Sequence, residues 1–328
     1  MLKKIKILPI ASESLGVRSM CTLVETPDIS ILLDAGISLC PYRFNLMPHP
    51  LEYQAIAELR KRIQEVAKKV KIITISHYHY DHFTPSHEDW IVNWTEAEIS
   101  AKRVYGGKRL LVKSPFDYIT RNQKKRAKKF NKLSNKFESI EIADDKTFSF
   151  GKDTKLKFSK AVSHGPEDNS LGWVIMLFVK FKNEKFIFAP DVQGPMSDNT
   201  LNQILSYNPQ LILIGGPPLY LSKHIVDDLK INSGIKNMEK IVRKIPLTII
   251  EHHILRDKNW RYKSKRLFRE AKRNGNKIIT TAEFLSKENK LYEANREELY
   301  LKMPPSKKFR NWVDEVLSKK KIHKPPLL

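Results

Sequence analysis

The chain has 328 residues, 41% of them hydrophobic, and a formal net charge of +23. That length and apolar content allow one large domain or two ordinary ones and exclude a disordered chain. Two cysteines, Cys21 and Cys40, exclude a disulfide framework and a Cys-x-x-Cys zinc site; with no apolar run long enough to span a membrane, a cytoplasmic protein is expected.

The charge is uneven. Residues 102–136 hold 13 Lys/Arg against the single acid Asp117, and residues 256–328 hold 21 against nine acids, so each block carries +12. Lys124, Lys125, Arg126, Lys128 and Lys129 form a dense run in the first block. Such a run fits a surface that concentrates RNA or DNA. It fits equally a solvated lysine-rich face of the heat-adapted kind. The lysines have no aromatic residues interleaved among them to stack on bases.

Short strands are expected at residues 2–8, 20–25 and 29–33, the last ending at Asp34. Apolar positions 51, 55, 56, 59, 63, 66 and 70 keep helical spacing. "VKIITI" then reads as a buried strand. Helices are expected at 86–100 and, strongly basic, at 116–133, with a strand at 108–112. Strands follow at 138–142, 147–150 and 155–162, and "LGWVIMLFVKF" and "KFIFAP" form a hairpin about "KNE". Next come a helix in "TLNQILSYN", a strand in "PQLILIGG", a helix over 222–243 and a strand in "PLTIIEHH". "RYKSKRLFREAKRNG" predicts one helix closed by Gly275. "NKIITTAEFL" begins as a strand, and the charged tail from about residue 289 predicts surface helices. The order predicts an α/β protein with two sheets covered by outer helices.

Function concentrates where "VKIITI" ends. "SHYHYDH", residues 76–82, places three of the chain's ten histidines and one aspartate in seven residues. His77 and His79, two apart on extended chain, project to one side. Asp81 and His82 follow at the turn before Pro85. Imidazole and carboxylate together are the ligands that zinc, manganese and iron accept. Four further polar signals each end an apolar strand: Asp34 in "ILLDAG", His164 in "KAVSHG", Asp191 in "FIFAPDVQG", and the pair His252–His253 in "LTIIEHH". If "LTII" alternates, 252 and 253 face opposite ways and only one reaches the site. Glu167 and Asp168 fall at the rim by spacing. His49, His87, His224 and His323 lack companions and read as structural or exposed.

These five motifs, in this order over roughly residues 5–285, resemble the metallo-β-lactamase superfamily. The ending "EHHILRD" resembles an archaeal branch of it. The resemblance implies an αββα sandwich of two mixed β-sheets flanked by helices. It implies a domain over 1–288 with a basic helical insert at about 96–136, and a charged helical extension over 289–328. It implies two divalent metal ions, zinc first, with manganese or iron as the alternatives. His77, His79 and His164 would bind one, and Asp81, His82 and one of His252 or His253 the other. Asp191 would bridge them, and Asp34 would stand behind the ligands holding the histidine loop. The implied activity is hydrolysis by a hydroxide activated between the two metals, with Asp81 orienting it. The expected substrate is anionic, a phosphodiester or nucleic acid. A small ester, thioester or lactone is the second reading, and a non-catalytic nucleic-acid-binding scaffold the third.

Overall fold

The computed structural model describes residues 2–167, 171–221, 228–318 and 323–327. The chain opens with strands β1 (Lys6–Pro9), β2 (Thr22–Glu25) and β3 (Ser30–Leu33), then helix α1 (Pro50–Ala67) and strand β4 (Ile72–Ile75). Helix α2 (Ala97–Tyr105), strand β5 (Arg109–Val112), helix α3 (Arg121–Asn131) and strand β6 (Ser139–Ile142) complete the first half. These strands form one sheet in sequence order, antiparallel through β3 and parallel from β3 to β6.

The second half holds β7 (Thr147–Phe150), β8 (Thr154–Phe158), the short pair β9 (Val162–Ser163) and β10 (Trp173–Val174), then β11 (Leu177–Phe181) and β12 (Glu184–Ala189). After them come α4 (Asp198–Tyr207), β13 (Leu211–Gly215), α5 (Asp228–Lys244) and β14 (Leu247–Glu251). The chain finishes with α6 (Trp260–Lys263), α7 (Lys265–Arg273), β15 (Lys277–Ile279), α8 (Thr281–Phe284), α9 (Arg296–Lys302) and α10 (Lys307–Leu317). The second sheet runs β15-β14-β13-β12-β11-β8-β7 and is also mixed.

Strand alternation explains the layering. Ile31 and Leu33 of β3, Phe186 and Phe188 of β12, and Leu211 and Leu213 of β13 point into one shared core between the sheets. Leu32 turns outward to α1 and its neighbours. Ile187, Ile212 and Ile214 turn outward to α4, α5 and α7. Three buried layers between four tiers make the αββα sandwich. β3 and β4 run in one direction in the first sheet, β12 and β14 in one direction in the second. Their carboxyl ends meet at one edge, which gathers the polar residues that follow them.

Local departures have local causes. Residues 86–96 are not helical. Asp89 accepts hydrogen bonds from the backbone N–H groups of Ile91 and Val92 and pairs with Thr95, which diverts the chain until α2 begins at Ala97. The basic helix starts at Arg121, because Ser114 Oγ accepts from the N–H groups of Phe116 and Asp117 and Thr120 caps the helix. The helix expected over 261–275 breaks at Ser264, whose hydroxyl donates to the Trp260 carbonyl. The start of the 222–243 helix and His224 lie outside the described residues. The tail is helical, but its inner face is buried. Arg296 is paired with Glu52 at 2.7 Å, and Phe309 and Trp312 pack on Tyr53.

Candidate metal centre

His77, His79, Asp81, His82, His164, Asp191, His252 and His253 converge at that edge. Asp191 is the hub. Its Oδ2 lies 2.9 Å from His164 Nε2, 3.2 Å from His82 Nε2 and 3.3 Å from His77 Nε2. Its Oδ1 lies 3.1 Å from His252 Nε2 and 3.3 Å from His253 Nε2. His79 joins through Nδ1, 3.1 Å from His77 Nε2, and Asp81 through Oδ2, 3.3 Å from His252 Nε2. Two groups of ligand-type atoms within 4.8 Å of one another are His77–His79–His164–Asp191 and Asp81–His82–His252. A further such group is Asp191–His252–His253.

Asp34 also lies near His77 and His82, but its oxygens are engaged elsewhere. Oδ1 accepts from the Ser76 N–H at 2.8 Å, and Oδ2 accepts from the Ser76 hydroxyl and from His82 Nδ1 at 2.7 Å. That last bond places a proton on His82 Nδ1 and leaves Nε2, on the Asp191 side, as the ring nitrogen a metal would take. The loop lies directly on Gly36, where an added Cβ would sit 2.1 Å from the Phe83 nitrogen. Asp34, Asp191 and His252 all adopt left-handed backbone, at φ 46°, 46° and 66°. Non-glycine residues rarely hold that conformation without compensation.

His252 and His253 do not face opposite ways. Alternation ends at Glu251. His252 enters the left-handed region and starts a short 3-10 turn, His252–Arg256, which swings both rings onto Asp191. Arg256 is held by Glu13 at 3.1 Å and touches both rings, reaching His253 Nδ1 at 3.1 Å and His252 at 3.2 Å.

Electrostatics follow from two buried carboxylates among imidazoles. Burial opposes ionisation of Asp191, yet the surrounding histidines hold it well below the usual carboxylate range. Asp81 is likewise held low against burial, by His252 and His82. Burial, with Asp191 and Asp34 acting against it and prevailing, leaves His82 raised to about 10. Burial and the neighbouring His164 push His79 down to about 3. Such a site demands positive charge. His82 Nε2, 3.2 Å from Asp191 Oδ2, and Asp191 Oδ1, beside His252 and His253, are buried without a well-formed hydrogen bond. A divalent cation satisfies both where another donor satisfies only one. The residues present therefore fit metal.

Sequence reasoning missed three contributors. Gln123 of α3 donates to His79 Nε2 at 3.3 Å and to the Leu171 carbonyl at 3.1 Å. Its signal was available: Gln123, Ala127 and Phe130 share one helical face, and all three are buried. Gln193 donates to His164 Nδ1 at 3.3 Å. Glu13, far away in sequence, gives no local signal. Glu167 does not reach the cluster; it accepts from the Ser197 hydroxyl, and Asp168 lies outside the described residues. His49 caps α1 and bonds the Met303 carbonyl, a structural role. On α3, Lys124, Lys125, Lys128 and Lys129 are exposed. Arg126 is partly engaged, lying over the Tyr80 ring and donating to the Tyr78 carbonyl.

Fold and cluster together define an αββα protein with a buried histidine–carboxylate site of metal-ligand type at the carboxyl edge of its sheets. The chain belongs to the UPF0282 family. It is 42% identical over 296 residues to a UPF0282 protein of Methanocaldococcus jannaschii, covering 90% of this chain and 96% of that one. It is 40% identical over 295 residues to one of Methanopyrus kandleri, covering 90% and 98%. No family model matches the chain. Among solved structures it is similar to Tm1679, a metal-dependent hydrolase of the β-lactamase superfamily (TM-score 0.46, 17% identity, 84% of this chain and 95% of that chain). It is also similar to the short form of human tRNase Z (TM-score 0.39, 10% identity, 75% and 92%).

Proposed function

We propose that this protein is a metal-dependent hydrolase of phosphodiesters, with nucleic acid as the substrate class. The observation that carries the reading is Asp191, one buried carboxylate placed among the nitrogens of five histidines, with a second carboxylate, Asp81, on one side. His77, His79 and His164 would hold one divalent ion and Asp81, His82 and His252 a second, with Asp191 common to both. Nitrogen-rich ligands of this kind suit zinc first, and accept manganese or iron. Ions held there supply Lewis acidity and bring the pKa of a coordinated water from 15.7 to about 7.

The chain's own residues have separable tasks. Asp81 has a 16% exposed side chain, against 2% for Asp191, so it is the carboxylate that meets incoming water. Ionised, it accepts that water's proton and orients its oxygen for attack. Asp34 and Gln193 fix the rings of His82 and His164. His253 is pushed well below its ordinary value by burial and by Arg256, which suits a ligand rather than an acid. Two carboxylates against two divalent ions leave the centre cationic, so an anionic substrate is favoured. The exposed lysines of α3 extend that field beyond it.

No helix among the described residues is long and apolar enough to cross a membrane. The free cysteines Cys21 and Cys40 accord with a cytoplasmic location.

Turnover of a panel of phosphodiesters, thioesters and lactones, with Zn²⁺ and Mn²⁺ added in turn, tests the reading. Diester cleavage that falls steeply with salt is expected. Salt-insensitive cleavage of thioesters or lactones alone would replace it with a small-molecule hydrolase. Nucleic-acid binding without any turnover would replace it with a scaffold.

A further inference from the structure

The lysine run contains no aromatics, but the fold brings aromatics to it from other segments. Tyr80, between His79 and Asp81 in the histidine loop, lies under the Arg126 guanidinium at 4.6 Å. With Lys125, Arg126, Lys128, Lys129 and Lys132 it lines an open groove of about 290 Å³. Ahead of α3, the loop after β5 carries Phe116 and Tyr118, 66% and 64% exposed. Tyr118 packs edge-on against Trp173 at 5.8 Å. Single exposed apolar side chains are ordinary, but exposed rings gathered beside a basic groove form the kind of patch that marks a binding surface.

The loop is built rather than loose. Ser114 Oγ accepts from the Phe116 and Asp117 N–H groups at 3.2 Å each. Lys113, fully buried, donates to the Asp117 carbonyl at 2.8 Å and pairs with Asp144 at 2.7 Å. Tyr118 sits at φ 48°, in the left-handed region that a tyrosine occupies only when its surroundings hold it there. The aromatic pair is also tied to the centre. Trp173 follows Gly172, whose carbonyl accepts from the His164 N–H at 2.9 Å. Gln123, at the start of α3, bridges Leu171 and His79. The rings and the lysines therefore flank the two histidines His79 and His164.

We infer that this rim, Phe116–Tyr118–Trp173 with the lysine face of α3, is a binding surface for single-stranded nucleic acid. It takes unpaired bases on the rings and phosphates on Lys124, Lys125, Lys128 and Lys129. The inference rests on the phosphodiesterase reading for its purpose but not for its geometry. Bases stack on aromatic rings without regard to sequence, whereas a duplex hides its base faces and offers only phosphates. A polyanion lacking bases gains nothing from the rings. The surface therefore selects strands by their pairing state.

The test is fluorescence anisotropy of the full chain with labelled single-stranded RNA and DNA 12-mers, the matching blunt duplex, and inorganic polyphosphate. Single strands are expected to bind at least about tenfold more tightly than the duplex. Phe116→Ala with Tyr118→Ala should remove about tenfold or more of that affinity, leaving polyphosphate binding and the salt slope unchanged. Tyr118→Phe should keep it. Gln at the four lysines should flatten the slope of log affinity against log salt by up to about 3 units on single strands. Equal affinity for strand, duplex and polyphosphate, or full strand affinity in the folded double-alanine variant, overturns the inference. Hydrolysis of bis(p-nitrophenyl) phosphate separates the two claims. Absence of diester turnover with aromatic-dependent strand binding intact sinks the hydrolase reading and leaves the surface standing. Turnover without strand preference does the reverse.

Discussion

Replacing Asp34 tests whether the histidine loop is held from behind. Asp34 is fully buried and accepts three hydrogen bonds, from the Ser76 N–H, the Ser76 hydroxyl and His82 Nδ1. In Asp34→Ala the Ser76 hydroxyl can turn to His77 Nδ1, 3.0 Å away. Among the described residues the Ser76 N–H and the His82 Nδ1–H make no hydrogen bond except to Asp34. A stranded buried donor costs about 1–3 kcal/mol, so the pair predicts a loss of about 2–6 kcal/mol in unfolding free energy. His82 also loses the bond that fixes its tautomer, and such losses weaken metal binding by about 10–100-fold. Asp34→Asn keeps one acceptor oxygen and should fall between. Urea unfolding of the metal-free chain and competition against a chromophoric chelator measure the two effects. A loss below about 1 kcal/mol with unchanged metal affinity would refute the buttress, because one unmet donor already exceeds it. Loss of one whole metal per chain in Asp34→Asn would make Asp34 a ligand.

Elemental analysis of the native chain should give close to two divalent ions, and His79→Ala should lower that count with the circular dichroism unchanged; a full count in the variant would remove His79 from the ligand set. Asp81→Asn should lower kcat by about 10²–10⁴-fold while metal content falls far less, since an amide cannot accept the water proton. An unchanged kcat in the loaded variant would leave Asp81 no catalytic part. Trp312→Ala, removing a ring 5.5 Å from Tyr53 and 5.4 Å from Phe309, should lower unfolding free energy by about 3–5 kcal/mol without changing metal content. A loss under about 1 kcal/mol would show that the tail only decorates the surface.

Much of the site was legible because each polar residue follows an apolar strand, and strands are read from short runs of β-branched residues. Asp34, His77, Asp191 and His252 all stand one or two residues beyond β3, β4, β12 and β14. What was not legible depends on partners remote in sequence. Glu13 meets Arg256 from the other end of the chain, and nothing in "ASESLG" marks it. The tail reads as surface by its charge. Yet Phe309 and Trp312 reach the same core as Tyr53, and Arg296 is buried on Glu52. The helix limit failed at 86–96 because Asp89 bonds the Ile91 and Val92 N–H groups in place of the helical ladder, and at Ser264 its hydroxyl joins its own N–H on the Trp260 carbonyl. The rings near the lysine run escaped notice because Tyr80 and Trp173 belong to other segments, and Phe116 and Tyr118, though within residues 102–136, precede the run and do not alternate with it.

The pair His252–His253 shows where periodicity stops being a guide. Alternation holds along β14, with Ile249 in the inter-sheet core and Ile250 in the outer one. Extending it one residue further assigns the two rings to opposite sides. The left-handed turn at His252 cancels that assignment, and Arg256 then binds both rings from one side. The turn is held by contacts on either side of it. Glu251 is buried and accepts from the Thr281 N–H at 2.8 Å, and Arg256 is anchored by Glu13. With three protein donors already on each side of Asp191, His253 is a seventh. Its side chain is 13% exposed, against 0% for His252, which sets it on the solvent side of the cluster. On the proposed reading, a ligand there would give way to substrate without disturbing either set of three. The doubled histidine is thus a consequence of how the strand ends, and its chemical use follows from which ring faces the mouth.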